Sequence, residues 1–287
     1  MITLKNRIKN KRRRIRFERY LIKRRLAGEK VFYPLYSKQE IEAEPSRVFA
    51  SIIPFPIGNN APTVILCPGG AYEFISFNNE GGEYAKAFNK AGFNVFLLNY
   101  RVAANAHYPN PMEDLARAIC FVKANCSSFG ADAERLVLCG SSAGGHLCAY
   151  FAERYGEFEN IYQGRQYSLR PQAVVLAYPV ISMIQDTHEV TRFRLLGSHP
   201  TNEQKLDKSV ELIAGKDYPP TFFWHCEGDR TVPISNSIRF EERLTEMGVK
   251  HVFRRYVRGG HGIGLAKGTT ASGWFEEAVA FLKENLG

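Results

Sequence analysis

Several absences limit what this 287-residue chain can do. It has no run of about 18 consecutive apolar residues, so no bilayer-spanning helix is expected. Its basic start is not followed by the apolar stretch and small-residue cleavage site of an export signal, which points to a cytoplasmic protein. The six cysteines, Cys67, Cys120, Cys126, Cys139, Cys148 and Cys226, include no C-x-x-C pair and sit mostly in apolar runs. Reduced structural thiols are therefore expected rather than disulfides or zinc ligands. The Gly-Gly turn after "VILCP" continues into neither G-x-G-x-x-G nor G-x-x-x-x-G-K-S/T, so nucleotide binding has no support. The Asp, Glu and His residues lack a metal-ligand spacing, and no cofactor is implied. Repeats, low-complexity tracts and a Pro/Gly/Ser-rich linker are also missing, so residues 31–287 are expected to form one domain.

What is present is charge of one sign at one end. Residues 1–30 hold thirteen Lys/Arg against two Glu, whereas the other 257 residues are nearly balanced, with 25 basic and 27 acidic side chains. Within this extension Ile8, Ile15 and Ile22 recur every seven residues, with Leu4 and Leu26 near the same helical face. A basic amphipathic helix suits an anionic membrane surface or an acidic partner. The plainer alternative rests that stripe on its own domain or on another subunit of a homo-oligomer. Nucleic acid is disfavoured, since no aromatic platform or recognition-helix pattern accompanies the charge.

Further on, short apolar runs at 63–68, 94–100, 135–140, 173–179, 221–225 and 251–257 predict strands covered on both faces. "VFYPLY" and "RVFASIIPF" predict earlier, antiparallel edge strands. Helical stripes intervene: one opens near Glu80, and the others are Leu115/Ile119/Val122, Phe240/Leu244/Met247 and Phe275/Val279/Leu282. Strand and helix in alternation predict a doubly wound, mostly parallel α/β sheet. The weaker periodicity at 156–171 and 181–218 predicts insertions over the end of the sheet where such folds bind ligands.

The apolar run "RLVLCG" ends in "GSSAGG", which fits G-x-S-x-G around Ser142. This spacing serves a cramped strand-to-helix turn that projects a serine above the sheet, while Gly140 and Gly144 leave room for the backbone. A simple capped helix start is the alternative. Ser141, without the flanking glycines, suits turn geometry better. A serine hydroxyl needs a base, and an imidazole needs an acceptor to fix its tautomer. Asp229 follows one predicted strand in "HCEGDRTVP", and His261 follows another in "VRGGHGIGLA". Glu227 is a rival acid. His225 and His146 suit packing or local bonding, and His188 suits an insertion or a substrate contact. Ahead of the serine, "CPGGAYEF" offers the Gly70 and Ala71 amides, and Ala143 offers one just after Ser142, as donors to a developing oxyanion.

Together "CPGGAYEF", "NYRVAANAHYPNPMEDLARAI", "LCGSSAGGHL", "YPVISM", "FFWHCEGDRTVPISNS" and "GGHGIGLA" resemble successive blocks of the α/β-hydrolase superfamily. The resemblance is to its bacterial carbohydrate (acetyl-xylan-type) esterases and hormone-sensitive-lipase-like esterases, and it runs from about residue 45 to the C-terminus. It implies an α/β-hydrolase fold with Ser142 as nucleophile, Asp229 as triad acid and His261 as acid/base. Gly70, Ala71 and Ala143 become oxyanion-hole positions, and Tyr72 lines the acyl or alcohol pocket. Pro68 stands where many relatives have histidine, and Ala71 where lipase-like relatives have a third glycine. The implied reaction is removal of an acetyl or other short acyl group from a saccharide. A general short-chain carboxylesterase, an acyltransferase or serine peptidase, and a non-catalytic interaction protein are the alternatives.

Overall fold

Each of those apolar runs becomes a strand. The computed structural model describes residues 17–161 and 167–287. Its strands are β1 (Tyr33–Pro34), β2 (Ser51–Phe55), β3 (Ala61–Cys67), β4 (Asn94–Asn99), β5 (Ala131–Ser141), β6 (Ala173–Ala177), β7 (Thr221–Cys226) and β8 (His251–Tyr256). They form one eight-stranded sheet in the order β1-β2-β4-β3-β5-β6-β7-β8. The first two pair antiparallel at one edge, and the other six run parallel to one another.

Successive side chains of a strand point to opposite faces, which is why these strands read as apolar almost throughout. In β3, Ile65 and Cys67 enter one apolar layer while Val64 and Leu66 enter the other. In β5, Leu136 and Leu138 divide from Val137 and Cys139 in the same way.

The helices are α1 (residues 17–26), α2 (Lys38–Ala43), α3 (Glu83–Lys90), α4 (Asn110–Phe129), α5 (Ser142–Ile161), α6 (Glu189–Leu196), α7 (Asn202–Asp207), α8 (Val210–Ile213), α9 (Ser235–Glu246) and α10 (Trp274–Asn285). One layer takes Leu115, Ile119 and Val122 of α4, Leu147 and Phe151 of α5, and Phe240 and Leu244 of α9. The other takes Tyr84 and Phe88 of α3 with Trp274, Phe275 and Leu282 of α10. Helices thus cover both faces of a mostly parallel sheet, an α/β-hydrolase fold. The irregular stretch at 181–218 contributes the short helices α6, α7 and α8. At the far edge, β8 presents Arg254, paired with Glu277 of α10, and Arg255, paired with Glu241 of α9.

The basic extension departs from its expected face. Leu4, Ile8 and Ile15 lie outside the described residues, but Ile22 and Leu26 are 56% and 81% exposed. The face that docks is Phe17, Tyr20, Leu21 and Arg24, which share a helical stripe of their own. Phe17 is buried and stacks on Phe55 and Phe77, with ring centroids 6.4 and 6.3 Å apart. Tyr20 also stacks on Phe55, and Arg24 donates to the Pro54 carbonyl at 2.9 Å. Gly82 admits the Phe17 ring, since a Cβ there would stand 2.4 Å from it.

Candidate active site

The parallel strands end along one line, and the polar residues gather just beyond it. β5 stops at Ser141, and α5 starts at Ser142 with φ +53°. Such a left-handed conformation in a non-glycine residue costs on the order of 1–3 kcal/mol and persists only when its surroundings impose it. Here the approach of neighbouring backbone imposes it. A Cβ on Gly140 would lie 2.2 Å from the Gly144 carbonyl oxygen, and one on Gly144 would lie 2.0 Å from that of Cys67. The Ser142 carbonyl accepts from the Val180 amide at 3.1 Å, fixing the turn against the chain beyond β6.

Ser142 Oγ lies 2.7 Å from His261 Nε2, and His261 Nδ1 lies 2.7 Å from Asp229 Oδ2. A carboxylate only accepts, so Nδ1 carries the proton and Nε2 is left to accept from the serine hydroxyl. Burial pushes the Asp229 carboxyl up. Hydrogen bonds from His225 and His261, the His261 charge and the Thr231 amide outweigh it and hold the group well below the usual carboxylate range. Asp229 Oδ1 accepts from the amides of Thr231 and Val232 at 2.9 and 3.1 Å. Glu227, the rival acid, is exposed.

His225, at the end of β7, proves to be the support of Asp229. It is fully buried, with Nε2 at 3.2 Å from Asp229 Oδ2 and 3.0 Å from the Val232 carbonyl. Two acceptors at one nitrogen make Nε2 the donor, so Nδ1 accepts from the Ser237 hydroxyl at 2.8 Å. Only its place at a strand end marked this residue in the sequence.

The loop after β3 is pinned at nearly every residue. Tyr100 O–H donates to the Pro68 carbonyl at 2.6 Å, and the Gly69 amide donates to Glu80 Oε2 at 2.8 Å. The Ser76 amide holds the Gly69 carbonyl at 2.8 Å, and the Ala103 amide holds that of Tyr72 at 2.7 Å. The Gly70 carbonyl accepts from Glu73 and Phe74. Among the described residues no acceptor takes the Gly70 or Ala71 amide. Ala143, in the first turn of α5, has no intrahelical acceptor for its own. Gly70 has φ +137°, and a Cβ there would lie 1.8 Å from the Phe74 carbonyl oxygen. Ala71 tolerates φ +60°.

The remaining expectations separate. Tyr72 is fully enclosed, with its hydroxyl 3.1 Å from His146 Nδ1, so its side chain sits in the core rather than on the open surface of a lining residue. His146, also buried, has Nε2 at 2.8 Å from the Lys208 carbonyl, and burial pushes its pKa down to about 4. Ser141 is buried beside Tyr84. His188 precedes α6, half-buried, with Nδ1 2.9 Å from the Thr191 hydroxyl. Burial and then the nearby His261 charge lower its pKa. Among the described residues no cluster of three or more His, Cys, Asp or Glu could hold a metal.

A strand-to-helix serine in hydrogen-bond line with a histidine and a carboxylate narrows the field, and comparison with known proteins decides the family. A family model described as BD-FAE matches residues 53–244. The chain belongs to the BD-FAE family. The chain also resembles the acetyl ester-xyloside bifunctional hydrolase of Caldicellulosiruptor lactoaceticus, whose crystal structure superposes with a TM-score of 0.82. The two are 30% identical, and the match covers 88% of this chain and 95% of that one. Endo-1,4-beta-xylanase B of Butyrivibrio fibrisolvens is 34% identical over 74% of this chain but only 34% of its own length. The acetylxylan esterase of Xylanibacter ruminicola is 26% identical over 73% of this chain and 42% of its own length. This BD-FAE chain thus spans less than half the length of these two curated relatives.

Proposed function

We propose that the chain is a serine ester hydrolase that removes acetyl or another short acyl group from a carbohydrate through an acyl-enzyme. The observation that carries the reading is the unbroken line from Ser142 through His261 to Asp229, at 2.7 Å for each contact, beside the open amides of Gly70 and Ala71. The names of the bifunctional hydrolase and the acetylxylan esterase support acetyl and xylan-type sugar as the two halves of the ester.

In this reading His261 Nε2 takes the Ser142 proton as the oxygen attacks the ester carbonyl. The carbonyl electron pair moves onto oxygen, where the amides of Gly70, Ala71 and Ala143 receive it. Protonated His261 then gives its proton to the departing sugar hydroxyl, leaving acyl-Ser142. Water repeats the sequence with His261 as base, releasing the acid and restoring Ser142. Asp229 orients the imidazole and offsets its charge throughout.

The test is release of acid from acetylated xylo-oligosaccharides and from matched acetyl, butyryl and longer esters. Ser142→Ala is expected to lower kcat on the order of 10⁴- to 10⁶-fold with the circular dichroism unchanged. A folded variant with wild-type turnover would refute the nucleophile. Acyl transfer to a sugar in place of acid release would make the chain a transferase.

The same proposal places the protein in the cytoplasm, with the exposed side of α1 resting on an anionic membrane surface. Ile22 and Leu26 stand out there among exposed Arg19, Lys23 and Arg25.

A further inference from the structure

Beside the serine, histidine and aspartate runs a second polar line that the reaction above leaves unused. Glu80 lies in a π-helical turn, Phe77–Gly82, between β3 and α3, and is 3% exposed. Its two oxygens face different parts of the site. Oε2 accepts from the Gly69 amide and Oε1 from the Tyr178 hydroxyl, each at 2.8 Å. Gly69 immediately precedes the two open amides. A Cβ on Gly69 would lie 2.9 Å from Glu80 Oε2 and 2.8 Å from Ser142 Cβ, so carboxylate, loop and serine meet at a point that only glycine leaves open.

Tyr178 carries the line to the histidine. It follows β6 with φ +39°, a strained conformation for a bulky residue. Its ring stands edge-on to the His261 imidazole with centroids 4.9 Å apart. Its hydroxyl accepts from the Gly264 amide at 3.1 Å, three residues beyond His261. The Gly264 carbonyl in turn accepts from Tyr84 and Trp274 at 3.3 and 3.1 Å.

We propose that Glu80 is a positioning residue: through Gly69 and Tyr178 it holds the oxyanion amides and the His261 imidazole in register across Ser142. A buried carboxylate is costly to desolvate, and an apolar side chain would fill the space without that cost. Filling space does not account for two hydrogen bonds that reach loops from separate strands. Burial raises the Glu80 pKa against the opposing bond from Tyr178, the His261 charge and the Gly69 amide.

The inference rests on the esterase reading, and the experiment separates the two. Turnover of an acetyl ester is measured for the wild type, Ser142→Ala, Glu80→Gln, Tyr178→Phe and the Glu80→Gln/Tyr178→Phe double variant. Misplacement of about 1 Å at a reacting centre costs on the order of 10²-fold. Glu80→Gln and Tyr178→Phe are therefore each expected to lower kcat roughly 10- to 100-fold with KM within about twofold. The double variant should fall little below the worse single variant, because both break one line. Wild-type kcat in folded Glu80→Gln, a loss confined to KM, or fully additive losses would overturn the inference alone when Ser142→Ala is inactive. An inactive wild type would overturn both readings. If Glu80→Gln does not fold, the kcat and KM of Tyr178→Phe decide by the same criteria.

Discussion

Asp229 is a carboxylate whose environment works against itself: burial pushes its pKa up, and its hydrogen-bond donors and the His261 charge outweigh that and hold it down. A carboxyl depressed in the folded state contributes stability that is complete above its unfolded pKa, near 3.8, and that disappears as pH falls through the folded value. Asp229→Asn should therefore be less stable than the wild type at pH 7, by about 1–3 kcal/mol for the lost charge-assisted hydrogen bonds. The gap should narrow as the solution is taken from pH 4 towards pH 2, and urea midpoints at the two extremes measure it. A gap independent of pH would contradict this account. Ser142, Asp229 and His261 were legible in the sequence because each follows a strand and the serine carries its own glycine pattern. His225 and Glu80 were not. Glu80 meets Tyr178 across 98 residues of chain, and no local pattern records which buried carboxylate will face which hydroxyl.

At the scale of elements, β3 to β7 were readable because strands covered on both faces need apolar residues at consecutive positions. The face of α1 was not. Ile22 and Leu26 lie on that helix beside the docking stripe, and in the sequence the seven-residue recurrence of isoleucine is the more conspicuous pattern. What docks is instead decided by aromatic complementarity with Phe55 and Phe77. Phe17→Ala should cost about 2–4 kcal/mol, near the range for removing a buried aromatic ring. It should also speed amide exchange across residues 17–26 while leaving exchange in α5 unchanged. Unaltered exchange in α1 would show that Phe17 does not hold it.

For the whole molecule, the important asymmetry is a nearly neutral body joined to a strongly basic beginning. Basic residues near an anionic lipid surface contribute about 1 kcal/mol each. Vesicles containing phosphatidylserine should therefore bind the full chain more tightly than neutral vesicles, and added salt should release it. Reversing Arg19, Lys23 and Arg25 to Glu should weaken that binding at least about tenfold. Equal binding to both kinds of vesicle, or none to either, would remove the membrane from the account. At the opposite side of the sheet, the ion pairs that anchor Arg254 and Arg255 place fixed charge along the outermost strand. A flat apolar template is what an incoming strand needs for stacking. Charged side chains of this kind along an outermost strand disfavour its pairing with the edge of another sheet.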